Sequence, residues 1–145
     1  MTQSYDLDRF VEAQESVYPR VISELAAGSK RSHWMWFIFP QIAGLGFSAM
    51  AQRYAIGSRA EAVAYLGHPL LGARLVECTL LVLAVTGKTI HDILGSPDDI
   101  KFRSSMTLFD AVSDRTIFAE AIEKYYSGGK DIATLTTLER MDGQF

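Results

Sequence analysis

The chain has 145 residues, of which 48% are hydrophobic and 21% charged, and its formal net charge is −3. This composition is that of an ordinary globular protein rather than a disordered one, and the length fits a single domain spanning residues 1–145. The acidic balance and a pI near 5.6 argue against broad contact with nucleic acid, which requires a basic face.

Cysteine usage and hydropathy indicate the compartment. Cys78 is the only cysteine, which excludes an intramolecular disulfide and a thiolate zinc cluster and fits a reducing environment. The first six residues lack the basic and apolar regions of a signal peptide. The longest apolar stretch, residues 80–85, is far shorter than the ~20 residues of a membrane helix. The sequence therefore predicts a cytoplasmic protein that makes no contact with a membrane.

The first predicted helix covers residues 7–25, where apolar side chains recur at helical spacing and Asp6 is the predicted N-cap. Pro19 lies inside this pattern and predicts a kink or break before Tyr18. Residues 30–41, called the basic-aromatic segment below, have bulky side chains that alternate poorly. We predict that this segment is a buried loop with at most one short helical turn.

The later helices are predicted from capping residues and turns. Ser58 and Glu61 have the spacing of a capping box. The helix over residues 69–86 is apolar almost all round, which predicts that it is central and buried. Strand signals are weak throughout, so the predicted fold is all-α, with seven or eight helices around that central helix. The predicted helix starts are Ser48, Ser58, Pro69, Thr89, Ser96, Asp114 and Asp131.

The basic-aromatic segment carries the strongest functional signal. Both tryptophans of the chain, Trp34 and Trp36, directly follow Lys30, Arg31 and His33. Flat rings beside cations suit a planar anion such as a nucleotide, because a tryptophan stacks on a base for ~1–3 kcal/mol. The lysine and arginine would hold phosphate, and the histidine would hydrogen-bond or act as an acid. The alternative is that the rings belong to the core and the cations to a solvated helix end.

A second polar cluster lies on the helix predicted to start at Ser96. Lys101 precedes three hydroxyl residues, Ser104, Ser105 and Thr107, by about one to two turns. A lysine and hydroxyls on neighbouring turns suit a phosphate or a ribose. The alternative is an exposed helix whose cations pair with local acids and add a few tenths of a kcal/mol.

Gln14 occupies an apolar position of the first helix, so its amide either ties that helix to a loop or faces a cavity. The three histidines are scattered, and none has the spacing of a metal ligand pair. The sequence therefore predicts no metal and no cofactor.

Several strings resemble a bacterial family of unknown function, numbered 1810 among such domains, which genome annotation sometimes mislabels calpastatin. The strings are SHWMWFIFPQ at 32–41, YLGHPLLGARL at 65–75, KFRSSMTLF at 101–109 and FVEAQ at 10–14. The resemblance spans nearly the whole chain and implies a mainly helical single domain without an established activity.

A looser similarity is to small helical domains that act on NAD-derived or ADP-ribose-like metabolites, some of which cleave N-glycosidic bonds. The shared features are the Ala13-Gln14 pair on an early helix, tryptophans near a basic loop and a polar late helix. This similarity is an analogy at the level of the fold.

The leading hypothesis is a binding protein or enzyme for a small phosphorylated nucleotide or nucleoside. Gln14, Ser104 and Ser105 are the predicted sugar ligands. For a hydrolase, the reaction would be N-glycosidic cleavage, in which Glu12 or Asp99 stabilises an oxocarbenium-like state or activates water. The hypothesis predicts that the basic-aromatic segment and the polar cluster meet in one pocket.

Two alternatives stay open. In the first, the chain is a non-catalytic interaction module whose aromatic segment docks a protein partner or a second copy as a homodimer, because Trp, Tyr and Arg dominate interface energetics. In the second, the motifs specify only the fold.

Overall fold

The fold is helical throughout the part of the chain that the structure describes. The computed structural model describes residues 5–143, so residues 1–4, which the signal-peptide prediction used, and residues 144–145 lie outside it. Between residues 5 and 143 the sole β-type pairing is an isolated parallel bridge of Ile42 with Ile56. The all-α prediction is therefore confirmed. The helices are α1 (Asp8–Glu15), α2 (Tyr18–Ala26), α3 (Met35–Ile38), α4 (Ala49–Arg53), α5 (Arg59–Gly67), α6 (Leu71–Ala84), α7 (Ile90–Leu94), α8 (Asp98–Ala111), α9 (Ile117–Tyr126) and α10 (Ile132–Asp142).

The described residues form ten helices, whereas the sequence predicted seven or eight. The break predicted before Tyr18 is confirmed, because Ser16 and Val17 separate α1 from α2 and divide the pattern over residues 7–25 into two helices. Pro19 is the second residue of α2, where its missing N–H costs little because that position has no intrahelical partner. The basic-aromatic segment contributes the other additional helix, the single turn α3.

Side-chain caps begin four helices where the sequence predicted them. At three other starts the prediction was wrong, because the helix begins one or two residues later and the predicted side chain makes no capping hydrogen bond. The four caps are Ser48, which was predicted only as a helix start, and Ser58, Thr89 and Asp131, which were predicted as caps. The residues wrongly predicted as caps are Asp6, Ser96 and Asp114.

The start of α6 is capped by a histidine instead of being formed by Pro69. This helix begins at Leu71, two residues later than predicted. The His68 Nδ1 atom accepts hydrogen bonds from the backbone N–H groups of Leu70 and Leu71, each at 3.2 Å. His68 therefore satisfies donors that a helix start leaves free, which assigns it a structural role.

Two long helices contribute to the centre of the core. The apolar helix α6, which was expected there, buries six of its residues although it leaves Leu80 49% exposed. In α8 all six residues from Ser104 to Phe109 are buried. Apolar patterning did not single out α8 because three of these buried residues carry hydroxyls. Two of the hydroxyls have hydrogen-bond partners in the protein. Ser104 Oγ donates to the Ile100 carbonyl at 3.3 Å, and Thr107 Oγ1 accepts from the Asp131 N–H at 2.9 Å.

Aromatic contacts place the basic-aromatic segment beside the start of α8. The rings of Phe39 and Phe102 meet edge-to-face with their centroids 4.9 Å apart, and the centroid of the Trp34 ring lies 6.3 Å from that of Phe39. All three side chains are at most 1% exposed. The basic-aromatic segment and the polar cluster on α8 are therefore neighbours, because their buried rings pack against each other in the core.

No single helix among the described residues is long and apolar enough to cross a membrane. The consecutive helices α5 and α6 have the length and composition together, but they are bent by 85° at their junction.

Candidate functional site

Glu24 on α2 organises the loop that carries the cations. One carboxylate oxygen accepts from the backbone N–H groups of Arg31 and Ser32 and from the Trp34 indole, at 2.8, 3.0 and 2.9 Å. The other accepts from the Ser32 hydroxyl at 2.5 Å. Burial opposes ionisation of this carboxyl, but the hydrogen bonds outweigh it and lower its pKa to about 2. Glu24 is therefore an ionised anchor for the loop.

Lys30 joins this loop to the helices that follow. Its backbone N–H donates to the Ile93 carbonyl at 2.8 Å, at the end of α7. Its ammonium lies 2.8 Å from Asp98 Oδ2, at the start of α8, and 4.9 Å from the centroid of the Trp34 ring. The Lys30 side chain is 7% exposed. Protein groups therefore already surround the charge of Lys30.

Lys101 repeats this arrangement one turn along α8. Its ammonium lies 5.2 Å from the centroid of the Trp36 ring and 3.8 Å from Asp98 Oδ1. Asp98 thus stands between two lysines, each of which lies over one of the two tryptophans. The Lys101 side chain is 24% exposed, so its charge is more accessible to a ligand than that of Lys30.

These groups line a concave pocket with a volume of about 340 Å³, at the lower end of the range for small-molecule sites. Arg31 and His33 stand at its edge, where both residues are exposed. Within residues 5–143 neither side chain has a hydrogen-bond or ion-pair partner. The lining comprises Lys30, Arg31, Ser32, His33, Met35, Trp36, Leu94, Ser96, Pro97, Asp98 and Lys101. We call it the first pocket.

The charge of the first pocket is opposite in sign to that of the chain. Lys30, Arg31 and Lys101 face the single carboxylate of Asp98, so three positive charges meet one negative charge and the balance is +2 with neutral His33. The whole chain carries −3. A local positive field on an acidic protein favours a small anion.

A second pocket adjoins the first and shares Pro97 and Lys101 with it. Its volume is about 280 Å³. The walls combine apolar and polar groups: Gln41, Leu45, Gly46, Pro97, Ile100, Lys101, Ser104, Asp131 and Ala133. Two larger depressions elsewhere on the described surface are mainly apolar and lack such a cluster of cations.

The structure brings together half of the residues predicted for the site. Five of them line the first pocket, namely Lys30, Arg31, His33, Trp36 and Lys101. Ser104 lines the second pocket. The basic-aromatic segment and the start of α8 therefore do meet at one concave surface.

Three predicted ligand residues belong to the packed interior instead. Trp34 is 1% exposed, and its ring packs in the core beneath Lys30, so no ligand can stack on it. Thr107 is fully buried and holds the start of α10 through Asp131. Ser105 is fully buried, and no group among the described residues hydrogen-bonds to its hydroxyl.

Gln14 satisfies the first of its two predicted alternatives and ties α1 to its surroundings. Its amide nitrogen donates to the Phe37 carbonyl at 2.7 Å and to the Tyr65 hydroxyl at 3.2 Å. Its amide oxygen accepts from Arg74 at 3.2 Å. Since Gln14 is 1% exposed and lines neither pocket, it does not reach a ligand there.

Neither predicted catalytic acid lines the first or the second pocket. Glu12 is exposed on α1. The Asp99 carboxylate lies 3.4 Å from His91 Nδ1 and accepts from the Ile100 N–H at 2.9 Å. The acid in the first pocket is the preceding residue, Asp98. The sequence did not distinguish Asp98 from Asp99, because both are acidic residues in the first turn of the same helix.

Other reactive groups give no second centre. Cys78 is fully buried, and burial raises the pKa of its thiol to about 12, so the thiol stays protonated. No three His, Cys, Asp or Glu side chains converge as metal ligands anywhere in the described range.

The family follows from comparison with known proteins. A model of the family described as "Protein of unknown function (DUF1810)" matches residues 4–138, and the chain belongs to this family, as its motifs predicted. The crystal structure of the conserved hypothetical protein Rv1873 from Mycobacterium tuberculosis is similar, with a TM-score of 0.92 and 54% sequence identity. The match covers 93% of this chain and 97% of that one. No curated protein matches the chain.

Proposed function

We propose that this protein binds a small phosphorylated ligand of the nucleotide class in the first pocket. The observation that carries the proposal is the convergence of Lys30, Arg31 and Lys101 on one concave site whose only carboxylate is Asp98. Asp98 lies 2.8 Å from Lys30 and 3.8 Å from Lys101, so it offsets one of the three positive charges and leaves a balance of +2. A phosphate monoester carries about −1.5 to −2 charges at neutral pH, which matches that balance.

Arg31 and Lys101 would act differently on a phosphate. Arg31 is exposed at the edge, and its guanidinium can hold two phosphate oxygens in a bidentate arrangement. Lys101 lies deeper, held over Trp36, and acts as a point charge. His33 beside them adds a hydrogen-bonding group. The single, buried cysteine suits a reducing compartment such as the cytoplasm.

Binding is supported better than cleavage. Hydrolysis of an N-glycosidic bond requires an acid or base at the reacting carbon, and Glu12 and Asp99 both lie outside the two pockets. Asp98 is the acid inside the first pocket, but its ion pair with Lys30 gives it a positioning role. For a hydrolase of this site, Asp98 would replace the two acids predicted from the sequence.

The proposal is tested by isothermal titration with inorganic phosphate, AMP and ADP-ribose. We expect Arg31→Ala to weaken binding of the phosphorylated compounds about tenfold, the loss of one charge-assisted contact of about 1.4 kcal/mol. Arg115→Ala is the matched control, since Arg115 is also exposed but lines a different groove on α6. If no phosphorylated compound binds, or if both variants weaken binding equally, the first pocket is not the site.

A second candidate function, recognition of a protein partner, is favoured by one observation. Phe47 follows Gly46, which lines the second pocket, and its side chain is 85% exposed. Phenylalanine is among the side chains enriched at protein interfaces. The patch predicted from the sequence, centred on Trp34 and Trp36, is instead buried or covered by lysines. Light scattering on the wild type and on Phe47→Ser would show a dimer that the variant loses.

A further inference from the structure

The tryptophan rings are already occupied by protein cations. Trp34 is in the core, and the ammonium of Lys101 stands over the ring of Trp36 at 5.2 Å. A base that stacked on that face of Trp36 would displace Lys101 and lose the cation that the phosphate needs. The flat part of a nucleotide therefore requires a different surface.

The second pocket provides such a surface. Ile100 on α8 is 60% exposed at its wall, and Leu45 faces the same space from the loop before α4. An exposed isoleucine contributes nothing to the core, whereas a flat ring laid against it would remove that apolar area from water. Apolar walls with few polar groups are typical of sites for small organic ligands.

The polar groups of the second pocket suit a nucleoside. The Gln41 side-chain amide, which has no hydrogen-bond partner among residues 5–143, offers both a donor and an acceptor to a base edge. The Ser104 hydroxyl donates to the Ile100 carbonyl and keeps its oxygen as an acceptor for a ribose hydroxyl. Lys101 lies between the two pockets, where phosphate joins sugar.

We infer that the ligand is a nucleoside phosphate that lies across both pockets, with its phosphate in the first and its nucleoside in the second, between Leu45 and Ile100. The inference rests on the proposed function and adds the orientation of the ligand and the surface that recognises its ring. Each pocket alone is near or below the smallest volumes usual for such sites, and the two pockets adjoin at Pro97 and Lys101, which line both.

Titration calorimetry with AMP, ribose 5-phosphate and inorganic phosphate separates the contributions of the two pockets. We expect wild-type protein to bind AMP about tenfold more tightly than ribose 5-phosphate, because only AMP carries a flat base. Ile100→Ser and Leu45→Ser are expected to remove this advantage and to leave the affinity for inorganic phosphate unchanged. Leu80→Ser, at a similarly exposed position on α6, is the matched control and is expected to change neither affinity.

The outcomes distinguish the inference from the proposed function. If phosphate binds but AMP is no tighter than ribose 5-phosphate, or if Trp36→Ala rather than Ile100→Ser removes the advantage of AMP, the inference is wrong and the phosphate site remains. If none of the three probes binds, the proposed function fails and the inference fails with it.

Discussion

Glu24 is the residue on which the geometry of the first pocket depends most. Its carboxylate accepts four hydrogen bonds from the loop that carries Arg31, and Glu24 is 8% exposed. Hydrogen bonds to an ionised acceptor are roughly twice as strong as neutral ones. A single buried carboxylate on α2 therefore positions the cations, although it does not itself contact a ligand.

We predict that Glu24→Gln, an isosteric change, lowers the free energy of unfolding by about 2 kcal/mol at pH 7. The pKa of Glu24 lies below the ordinary 4.5 in the folded chain, at about 2. Its contribution is therefore complete above about pH 4.5 and is lost as the pH falls towards 2. Urea unfolding from pH 7 to pH 2.5 should show the stability gap between wild type and variant narrowing below pH 4.5. A gap that stays constant would contradict this role.

Asp98 and Asp99 are adjacent acids with different roles, and this permits a matched comparison. We predict that Asp98→Asn raises the affinity for inorganic phosphate several-fold, because it removes the one negative charge facing the cations of the first pocket. The same variant should lose about 2 kcal/mol of stability, since Lys30 is left with an uncompensated, largely buried charge.

The control for this comparison is Asp99→Asn. Asp99 faces His91 outside the pocket, so its variant should leave phosphate affinity unchanged in calorimetry. Equal effects of the two variants would mean that net charge, rather than the position of Asp98, determines the affinity.

At the scale of elements, the junction of α5 and α6 depends on one close contact. A Cβ atom at Gly72, in the first turn of α6, would stand 1.9 Å from the Leu66 carbonyl oxygen, on the backbone of α5. Backbone cannot give way as a flexible side chain can. Glycine at position 72 therefore lets α6 turn sharply back on α5, and the bend of 85° between the two helices depends on it.

We predict that Gly72→Ala destabilises the protein by about 3 kcal/mol, the upper end of the cost of overpacking. Gly67→Ala, at the end of α5, is the control, because nothing lies within 4 Å of the position that its methyl group would take. Because Gly67 is the last residue of its helix, that change is expected to alter stability by less than about 0.5 kcal/mol. Thermal unfolding followed by circular dichroism would rank the variants, and a Gly72→Ala protein as stable as wild type would contradict the contact.

At the scale of the whole molecule, one continuous core underlies both pockets. Buried side chains from α1 to α10 belong to a single cluster that runs from Phe10 through Trp34 and Phe102 to Leu138. The basic-aromatic segment is thus part of the core on its inner side and part of the site on its outer side. Substitutions at Phe39 or Phe102 would disturb the pocket and the fold together.

We predict that this shared core unfolds as one unit. Tryptophan fluorescence reports on the basic-aromatic segment, where both indoles lie, whereas far-ultraviolet circular dichroism reports on all helices. The two urea transitions should share one midpoint, as two-state domains below about 150 residues do. A fluorescence midpoint at lower urea would show that the site unfolds separately from the rest.

The sequence by itself determined the helical class, the family and the two segments that line the first pocket. Capping residues such as Ser58 and Asp131, and apolar spacing along the helices, are local signals that act within a few residues. The same local information singled out Lys30 in the basic-aromatic segment and Lys101 in the polar cluster as candidate ligand-binding residues. It also predicted that these stretches would meet, because both were expected to bind the same phosphorylated ligand.

Only the tertiary structure decided which face of each segment lines the first pocket. Trp34 and Trp36 are two residues apart and chemically identical, yet one is core and the other lines the first pocket. Asp98 and Asp99 are adjacent, yet only one faces Lys30. Side-chain direction in such cases depends on contacts between different helices and loops, here Glu24 of α2 with the loop and Phe39 with Phe102 of α8. Local spacing does not contain those contacts, because they exist only after the helices have packed.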